Sequence, residues 1–276
     1  MNVGVVILHC REGLEGKFKV SAEQGFKHCQ FISWSPSLWT DDEAERVSSY
    51  SKKYGIEITA FWCGWEGPNA WNFYEGQATL GLVPETYRHA RIKNLVNGSD
   101  FAKKLGVTDV VTHMGFLPEN PNERLYTDVV YAIRCIARHA AQNGQRLLFE
   151  TGQETPVTLL RTIEDVATGN LGVNLDPANL ILYGKANPVD ALDVFGKYVY
   201  GFHAKDGFYP TNGRELGREV PVGEGKANYP MLIKRLHECG YNGSLTIERE
   251  ISGEQQTKDI LNTKVYLEKL LAEIEA

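Results

Sequence analysis

The segment V-Y-G-F-H-A-K-D-G, residues 199–207, decides how the rest of this chain is interpreted. It is an apolar, β-prone run that stops at a glycine, which is typical of a buried strand. The strand ends in His203, Lys205 and Asp206, and burying these groups costs free energy unless they are paired or bind a ligand. The end of this strand is therefore predicted to form a binding site.

Three other segments have the same form, a short apolar strand that ends in one carboxylate. They are R-L-L-F-E (Arg146–Glu150), L-G-V-N-L-D (residues 171–176) and S-L-T-I-E (residues 244–248). Strand and helix patterns alternate about eight times along the chain, which indicates parallel strands joined by right-handed helical crossovers. This alternation over 276 residues predicts a single (β/α)8 TIM barrel domain spanning residues 1–276.

The predicted elements follow one another with short connections. The predicted strands are 2–8, 28–33, 56–63, 109–115, 146–151, 171–177, 199–205 and 244–248. The predicted helices are 18–27, 41–54, 85–105, 123–142, 155–167, 187–196, 229–238 and 253–276. Two longer segments, the aromatic residues 64–84 and the glycine-rich residues 208–225, are predicted to be loops near the site. The turn G-E-G at 223–225 could present backbone N–H groups to a phosphate or could simply precede the next helix.

Composition excludes several classes of protein. The net charge of −6 argues against a nucleic-acid-binding surface, and no apolar run is long enough to span a bilayer. The amino end lacks the pattern of a signal peptide, so we expect a cytoplasmic protein without nucleic-acid or membrane partners. The cysteines are odd in number and lack a C-x-x-C pair, which indicates reduced, mostly buried thiols. Cys10 and Cys63, each near a strand end, are the candidates for the alternative of a catalytic thiol.

Four residues that end consecutive predicted strands are candidate metal ligands: Glu150, Asp176, His203 and Glu248. In a barrel of this kind the active site lies at the carboxyl ends of the strands, so the four should converge. Three carboxylates brought together repel one another, and a divalent cation removes that conflict. Oxygen ligands with one imidazole suit Mn²⁺, Mg²⁺ or Co²⁺, and suit Zn²⁺ less well.

Other polar and aromatic residues near strand ends have two interpretations each. His113 could face the site from the fourth strand or be a hydrogen-bonded core residue. Lys205 lies two residues after His203, hence on the same side of the strand, and could contact substrate or form an ion pair. Trp62, Trp65 and Trp71 could stack on the apolar face of a sugar or could pack in the core.

The motifs that carry these residues resemble those of a known family. L-F-E ends at Glu150, N-L-D-P contains Asp176, F-H-A-K-D contains His203, and V-G-E-G precedes L-T-I-E, which ends at Glu248. In this order they resemble the xylose isomerase-like superfamily of TIM barrels, in the sugar phosphate isomerase/epimerase branch. That branch includes ketose 3-epimerases, hydroxypyruvate isomerase and inosose dehydratase. The resemblance covers nearly the whole chain and leaves the substrate open.

The resemblance implies an activity and roles for the candidate residues. The quartet would bind one divalent metal, Mn²⁺ first, with Mg²⁺, Co²⁺ or Zn²⁺ as alternatives. Glu150 and Glu248 would also be catalytic, moving a proton α to the carbonyl of a ketose, keto-polyol or sugar phosphate through a metal-bound enediolate. This is a sugar isomerase or epimerase, and the alternative is a dehydratase or lyase acting on an inosose or keto-sugar. A homodimer or homotetramer is expected by the same resemblance.

The substrate-binding residues expected from this comparison are His113, Asn179, Lys205, Trp62 and Trp65. Asn179 stands three residues after the metal-binding aspartate, where the family often has histidine. Asparagine can hydrogen-bond a hydroxyl but cannot move a proton near neutral pH, which leaves room for a non-catalytic sugar-binding barrel. An endonuclease IV-like DNA-repair enzyme is disfavoured, because that branch gathers three zincs with more histidines.

Overall fold

Eight parallel strands form a closed barrel in the computed structural model, which describes residues 1–275. The barrel strands are β1 (Asn2–Leu8), β2 (His28–Ser33), β3 (Glu57–Cys63), β4 (Asp109–Thr112), β5 (Arg146–Glu150), β6 (Leu171–Leu175), β7 (Val199–Ala204) and β10 (Ser244–Ile247). Consecutive strands pair in order, and β10 closes the barrel against β1, with Ser244 opposite Asn2. The predicted barrel is confirmed.

Ten α-helices lie among the described residues, most of them packed around the barrel. They are α1 (Leu14–Glu23), α2 (Asp41–Tyr54), α3 (Gly76–Thr79), α4 (Glu85–Lys104), α5 (Arg124–Gln142), α6 (Pro156–Val166), α7 (Pro177–Leu182), α8 (Pro188–Phe195), α9 (Tyr229–Glu238) and α10 (Glu254–Glu275). No helix in residues 1–275 combines the length and the apolar character needed to cross a membrane.

The first helix is displaced from its prediction. Residues 18–27 were expected to be helical, and the helix instead covers Leu14–Glu23. Gly13 precedes it at φ 73° and Gly25 follows it at φ 80°, and positive φ at these two glycines interrupts the helical backbone on both sides. The helix α2 begins where it was predicted, because Thr40 accepts a hydrogen bond from the backbone N–H of Glu43.

The segment predicted as a loop at residues 208–225 contains part of a small hairpin. Strands β8 (Asp206–Phe208) and β9 (Arg218–Val220) pair antiparallel beside the barrel mouth. The buried Asp206 carboxylate accepts four backbone hydrogen bonds of 2.8–3.1 Å, from Gly207, Gly223, Gly225 and Ala227. In the turn at 223–225, the N–H groups of Gly223 and Gly225 therefore donate to Asp206 and that of Glu224 donates to the Pro221 carbonyl, so none of the three is free to hold a phosphate.

One layer of side chains inside the barrel is polar and contains Gln30 and Asn174. Gln30 on β2 donates to the Asn174 side chain on β6 at 2.8 Å, and both residues are buried. These two strands lie on opposite sides of the barrel, so the hydrogen bond crosses its interior. Barrel interiors are usually filled by branched apolar side chains, and a buried amide costs free energy unless it is paired. Gln30 in this polar layer also forms a hydrogen bond with His203 of the predicted site.

Candidate active site and metal centre

The four predicted metal residues meet at the carboxyl ends of their strands. Glu150 ends β5, Asp176 follows β6, His203 lies near the end of β7, and Glu248 follows β10. Their ligand atoms all lie within 4.8 Å of one another. The Nδ1 atom of His203 lies 3.2 Å from Glu150 Oε1, 3.3 Å from Glu248 Oε2 and 4.0 Å from Asp176 Oδ2. One imidazole nitrogen is thus surrounded by three carboxylates.

The quartet has the chemistry of a divalent-cation site. Asp176 is fully buried, and its Oδ1 accepts the backbone N–H of Asn179 at 2.8 Å, which caps α7. Its Oδ2 is also buried, and no hydrogen-bond donor within the described residues reaches it. Lys205 Nζ lies 3.6 Å from this oxygen, beyond hydrogen-bond distance, and a buried carboxylate oxygen without a donor is costly unless a cation binds it directly. Three carboxylates and one imidazole therefore fit a hard or borderline divalent ion.

Without a metal ion, the surrounding protein groups shift the pKa values of the three carboxylates in different directions. Burial raises the pKa of Asp176 to about 7 against the opposing charge of Lys205, and Glu150 and Glu248 add to the rise. Burial also opposes ionisation of Glu150, but the His203 and His113 imidazoles outweigh it and hold its pKa well below the ordinary value. Burial is likewise outweighed at Glu248, where Lys205 and His203 lower the pKa to about 2. This competition for protons is the conflict that a divalent cation relieves.

The polar layer inside the barrel orients His203. Its Nε2 lies 2.8 Å from the amide oxygen of Gln30, whose own NH₂ group donates to Asn174. An amide oxygen only accepts, so the proton of a neutral imidazole is on Nε2, and Nδ1 presents its lone pair to the carboxylates. Metal-binding histidines are held in this way by an outer hydrogen bond. Gln30 and Asn174 were not predicted, and their only sequence signal is a polar residue inside a buried strand.

A cavity of about 420 Å³ opens on this cluster. Glu150 and Glu248 line it together with Trp62, His113 and Asn179. A second cavity of about 410 Å³ lies at the opposite end of the barrel, and the described residues that line it include none of the quartet. The first cavity combines an aromatic wall with a few convergent polar groups, which is the usual form of a small-molecule site.

Three of the predicted substrate-binding residues contact Glu150. The Nε2 atom of His113 lies 3.4 Å from Glu150 Oε1, and Asn179 donates to the same oxygen at 3.3 Å. The indole N–H of Trp62 donates to Glu150 Oε2. The Nδ1 atom of His113 is buried, and no partner for it is found in residues 1–275. These residues hold Glu150 in place and border the cavity, so each also has access to a bound ligand.

Lys205 lies on the same side of the chain as His203. It is buried, and its Nζ lies 3.3 Å from Glu248 Oε2 and 3.6 Å from Asp176 Oδ2. A further carboxylate, Glu250, approaches it at 2.8 Å and lines the cavity. The ion-pair interpretation of Lys205 thus holds, and it places this cation directly beside the quartet. Glu250 was not predicted, because it lies beyond the strand end.

The aromatic wall differs from the prediction in one member. Trp34 and Trp71 line the cavity with Trp62. Trp65 lies behind them, 3% exposed, with its ring edge-on to Trp34 at 5.2 Å and the Arg91 guanidinium 5.0 Å from its ring centre. The position of Trp65 is set by the fold of residues 64–84, which the sequence pattern did not specify.

The thiols are separate from this chemistry. Cys63 is fully buried, and burial raises the pKa of its thiol well above the ordinary value. Cys10 is half-buried and packs against the hydrophobic core. The surroundings of Cys63 disfavour a thiolate, and neither thiol lines the cavity at the quartet, so a nucleophilic cysteine is not supported there.

The model of the xylose isomerase-like TIM barrel family matches residues 18–269. The chain belongs to this family. A xylose isomerase domain protein from Planctomyces limnophilus has a crystal structure with 34% sequence identity and a TM-score of 0.93, covering 99% of this chain and 98% of that one. An uncharacterized protein from Methanocaldococcus jannaschii is 27% identical over 196 residues, covering 67% of this chain and 64% of that protein, which is less than two thirds of its length.

More distant solved structures share the fold. A D-tagatose 3-epimerase-like protein has 21% identity and a TM-score of 0.77, covering 100% of this chain and 98% of that one. A family member from Mycobacterium smegmatis, solved in complex with magnesium, has 18% identity and a TM-score of 0.74, covering 100% and 98%. The probable 3-DHS dehydratase from Bacillus anthracis has 19% identity and a TM-score of 0.72, covering 97% and 99%. Proteins described as epimerase-like and as a probable dehydratase therefore have the same fold as this chain.

Proposed function

We propose that the chain is a divalent-metal-dependent isomerase or epimerase of a small polyhydroxylated carbonyl compound. The observation that carries this proposal is the placement of Glu150 and Glu248. Their carboxylates lie 3.2 Å and 3.3 Å from the same atom, His203 Nδ1, and both line the cavity. Two carboxylates that reach one ligand position from different strands are suited to remove a proton and to return one.

Glu150, Asp176, His203 and Glu248 would hold the cation, with Mn²⁺ as our first choice and Mg²⁺, Co²⁺ and Zn²⁺ as alternatives. When bound, the cation would act as a Lewis acid on the carbonyl and an adjacent hydroxyl of the substrate. The magnesium found with the Mycobacterium smegmatis protein supports a divalent ion in this family. The donor set here is compatible with either Mn²⁺ or Mg²⁺.

The protein groups would divide the proton transfer between two carboxylates. One glutamate would remove the proton from the carbon α to the carbonyl, and the other would return a proton to the opposite face or to the neighbouring carbon. Asn179 would hydrogen-bond a substrate oxygen without moving a proton, because an amide does not titrate near neutral pH. Trp34, Trp62 and Trp71 would cover the substrate and exclude water from the carbanionic carbon.

The alternative activity is elimination of a β-hydroxyl, as a dehydratase would catalyse. Elimination needs an acid that gives a proton to the leaving hydroxyl. Lys205 is the buried cation beside the site, but its Nζ is engaged by Glu250 at 2.8 Å and Glu248 at 3.3 Å. A glutamate that has taken the α proton could return it to carbon or give it to a leaving hydroxyl, so the same two carboxylates would serve either reaction. Net release of water is the result that distinguishes elimination from isomerisation or epimerisation.

The experiment that tests the proposal is exchange of substrate protons with D₂O. A panel of ketoses and inososes is incubated with the Mn²⁺-loaded protein, and deuterium at the α carbon is measured by NMR. Exchange is expected with at least one compound, and Glu150→Gln and Glu248→Gln should each slow it by about 10²–10⁴-fold, the usual contribution of a general base. Glu57→Gln is the matched control, because that carboxylate lies on β3 with its side chain 71% exposed.

Sugar binding without exchange by any compound would favour the non-catalytic sugar-binding barrel. Net release of water would establish the dehydratase instead. Retained exchange in both glutamine variants would remove the two-carboxylate mechanism.

A further inference from the structure

The cavity walls carry negative charge without a matching positive surface. Of the described residues that line the cavity, Glu150, Glu248 and Glu250 are carboxylates, and none is lysine or arginine. A phosphate group carries between one and two negative charges near neutral pH, and proteins bind it with Arg or Lys side chains or with free backbone N–H groups. The described side chains that line this cavity include no arginine or lysine that could bind a phosphate.

The backbone donors at the mouth are already occupied. The first turn of α7 gives the N–H of Asn179 to Asp176. In the glycine turn at 223–225, Gly223 and Gly225 donate to Asp206 at 3.1 Å and 3.0 Å, and Glu224 donates to the Pro221 carbonyl. These N–H groups, at the first turn of α7 and in the glycine turn, therefore already donate to carboxylates of the chain itself.

Two basic side chains near the mouth, Lys205 and Arg249, are held in ion pairs. Lys205 is surrounded by Glu250, Glu248 and Asp176 within 3.6 Å. Arg249 pairs with Glu219 at 2.7 Å and with Asp259 at 2.9 Å. With a divalent cation bound, the quartet would carry a net charge of −1, because its three carboxylates outweigh the two charges of the cation. Lys205 would bring the net charge of the site to zero, and Glu250 would return it to −1. An anionic group on the substrate would thus find both Lys205 and Arg249 already paired with carboxylates.

The uncharged part of the wall suits a neutral sugar. The rings of Trp34, Trp62 and Trp71 offer apolar faces to the C–H groups of a carbohydrate. Tyr183 lines the same cavity, and the Gln153 amide lies beside its buried hydroxyl. The phenol offers one hydrogen bond to a substrate hydroxyl, whereas a phosphate would need more donors than one phenol provides.

Building on the proposed function, we infer that the site takes an electrically neutral, unphosphorylated polyhydroxy ketone and rejects its phosphate esters. The specificity comes from Glu250 and the closed ion pairs around Lys205, together with the tryptophan wall. The inference narrows the substrate class beyond a sugar or sugar phosphate.

The test compares matched pairs that differ only in the phosphate. D-fructose and its 6-phosphate, D-tagatose and its 6-phosphate, and D-ribulose and its 5-phosphate are assayed for deuterium exchange at a fixed free Mn²⁺ concentration. Tryptophan fluorescence reports binding in parallel, because three tryptophans line the cavity. We expect kcat/KM for the best free ketose to exceed that of its ester by about 100-fold, the scale on which uncompensated like charges disfavour association.

A gain-of-charge variant tests the cause. Leu216 lines the cavity, so Leu216→Arg adds the missing cation, and we expect it to shift the preference toward the esters by about tenfold. Val265→Arg is the matched control, because it makes the same charge change on α10 at a side chain that is 68% exposed. The control should leave the preference unchanged.

The outcomes separate this inference from the function on which it rests. Esters that exchange as fast as or faster than the free ketoses would overturn the neutral-substrate inference and leave the isomerase proposal standing. Exchange with neither class would overturn the proposed function and the inference with it. Equal effects of Leu216→Arg and Val265→Arg would contradict charge as the basis of the selectivity.

Discussion

Replacing Gln30 by leucine should weaken metal binding although Gln30 is not one of the proposed ligands. The substitution removes the acceptor that lies 2.8 Å from His203 Nε2, in a part of the barrel where His203 is fully buried. The imidazole must then either leave its Nε2–H without a partner or move the proton to Nδ1, the atom that faces the carboxylates. An unsatisfied buried donor costs about 1–3 kcal/mol, and loss of an outer partner of a metal-binding histidine typically lowers affinity by about 10–100-fold.

The assay is isothermal titration of the metal-free protein with Mn²⁺. The matched control is Gln145→Leu, because Gln145 is another buried glutamine, with its amide bonded to Ser99 and to the Val107 carbonyl away from the site. Both variants should lose thermal stability, but only Gln30→Leu should raise the Kd for Mn²⁺. A Kd for Gln30→Leu within about twofold of the wild type would refute the reasoning that Gln30 fixes the histidine for the metal.

Three further predictions concern the surroundings of the site. Arg91→Met should raise KM for the ketose by about tenfold and speed protease cleavage within residues 64–84, because Arg91 donates to the Gly81 and Pro68 carbonyls at 2.6 Å and 2.8 Å. Asp206→Asn should lower the free energy of unfolding in urea by about 2–3 kcal/mol, because its carboxylate accepts four backbone N–H groups. Burial raises the pKa of Glu154 to about 7, so its contribution to stability is present below pH 4.5 and is lost as pH rises through about 7. Glu154→Gln should therefore reduce the fall in unfolding free energy between pH 5 and pH 8, measured in urea, and an unchanged fall would contradict this assignment.

The four residues of the quartet could be predicted from the sequence because of the barrel topology. Glu150, Asp176 and Glu248 each end an apolar run or directly follow its strand, and parallel strands of one barrel bring such ends to one face. The pattern needed only the order and approximate ends of the strands. Small errors did not matter, such as predicting the fourth strand as residues 109–115 when β4 covers Asp109–Thr112.

The residues around the quartet were less accessible because long-range geometry sets their positions. Gln30 and Asn174 are 144 positions apart, and they meet only because the barrel closes with β2 opposite β6. Local periodicity identifies a strand but does not tell which distant side chain faces it across the interior.

The sequence also did not show which tryptophans form the aromatic wall, because a loop positions them. Trp34 lines the cavity and Trp65 lies behind it, although Trp65 was predicted to contact substrate and Trp34 was given no role. The Arg91 guanidinium fixes this arrangement by stacking on Trp65 and binding carbonyls within residues 64–84. Such an anchor is a tertiary contact between a helix and a loop, which composition alone does not specify.

The metal content of the purified protein tests the central claim most directly, measured by elemental analysis for the wild type and for Asp176→Asn. The substitution is well suited, because asparagine can still cap α7 through its side-chain oxygen while losing the charge that faces the quartet. The account predicts about one divalent ion per wild-type chain and its loss in a variant that remains folded. No bound metal in wild-type protein purified with added Mn²⁺ would contradict the account, and about three zincs per chain would instead support the DNA-repair alternative.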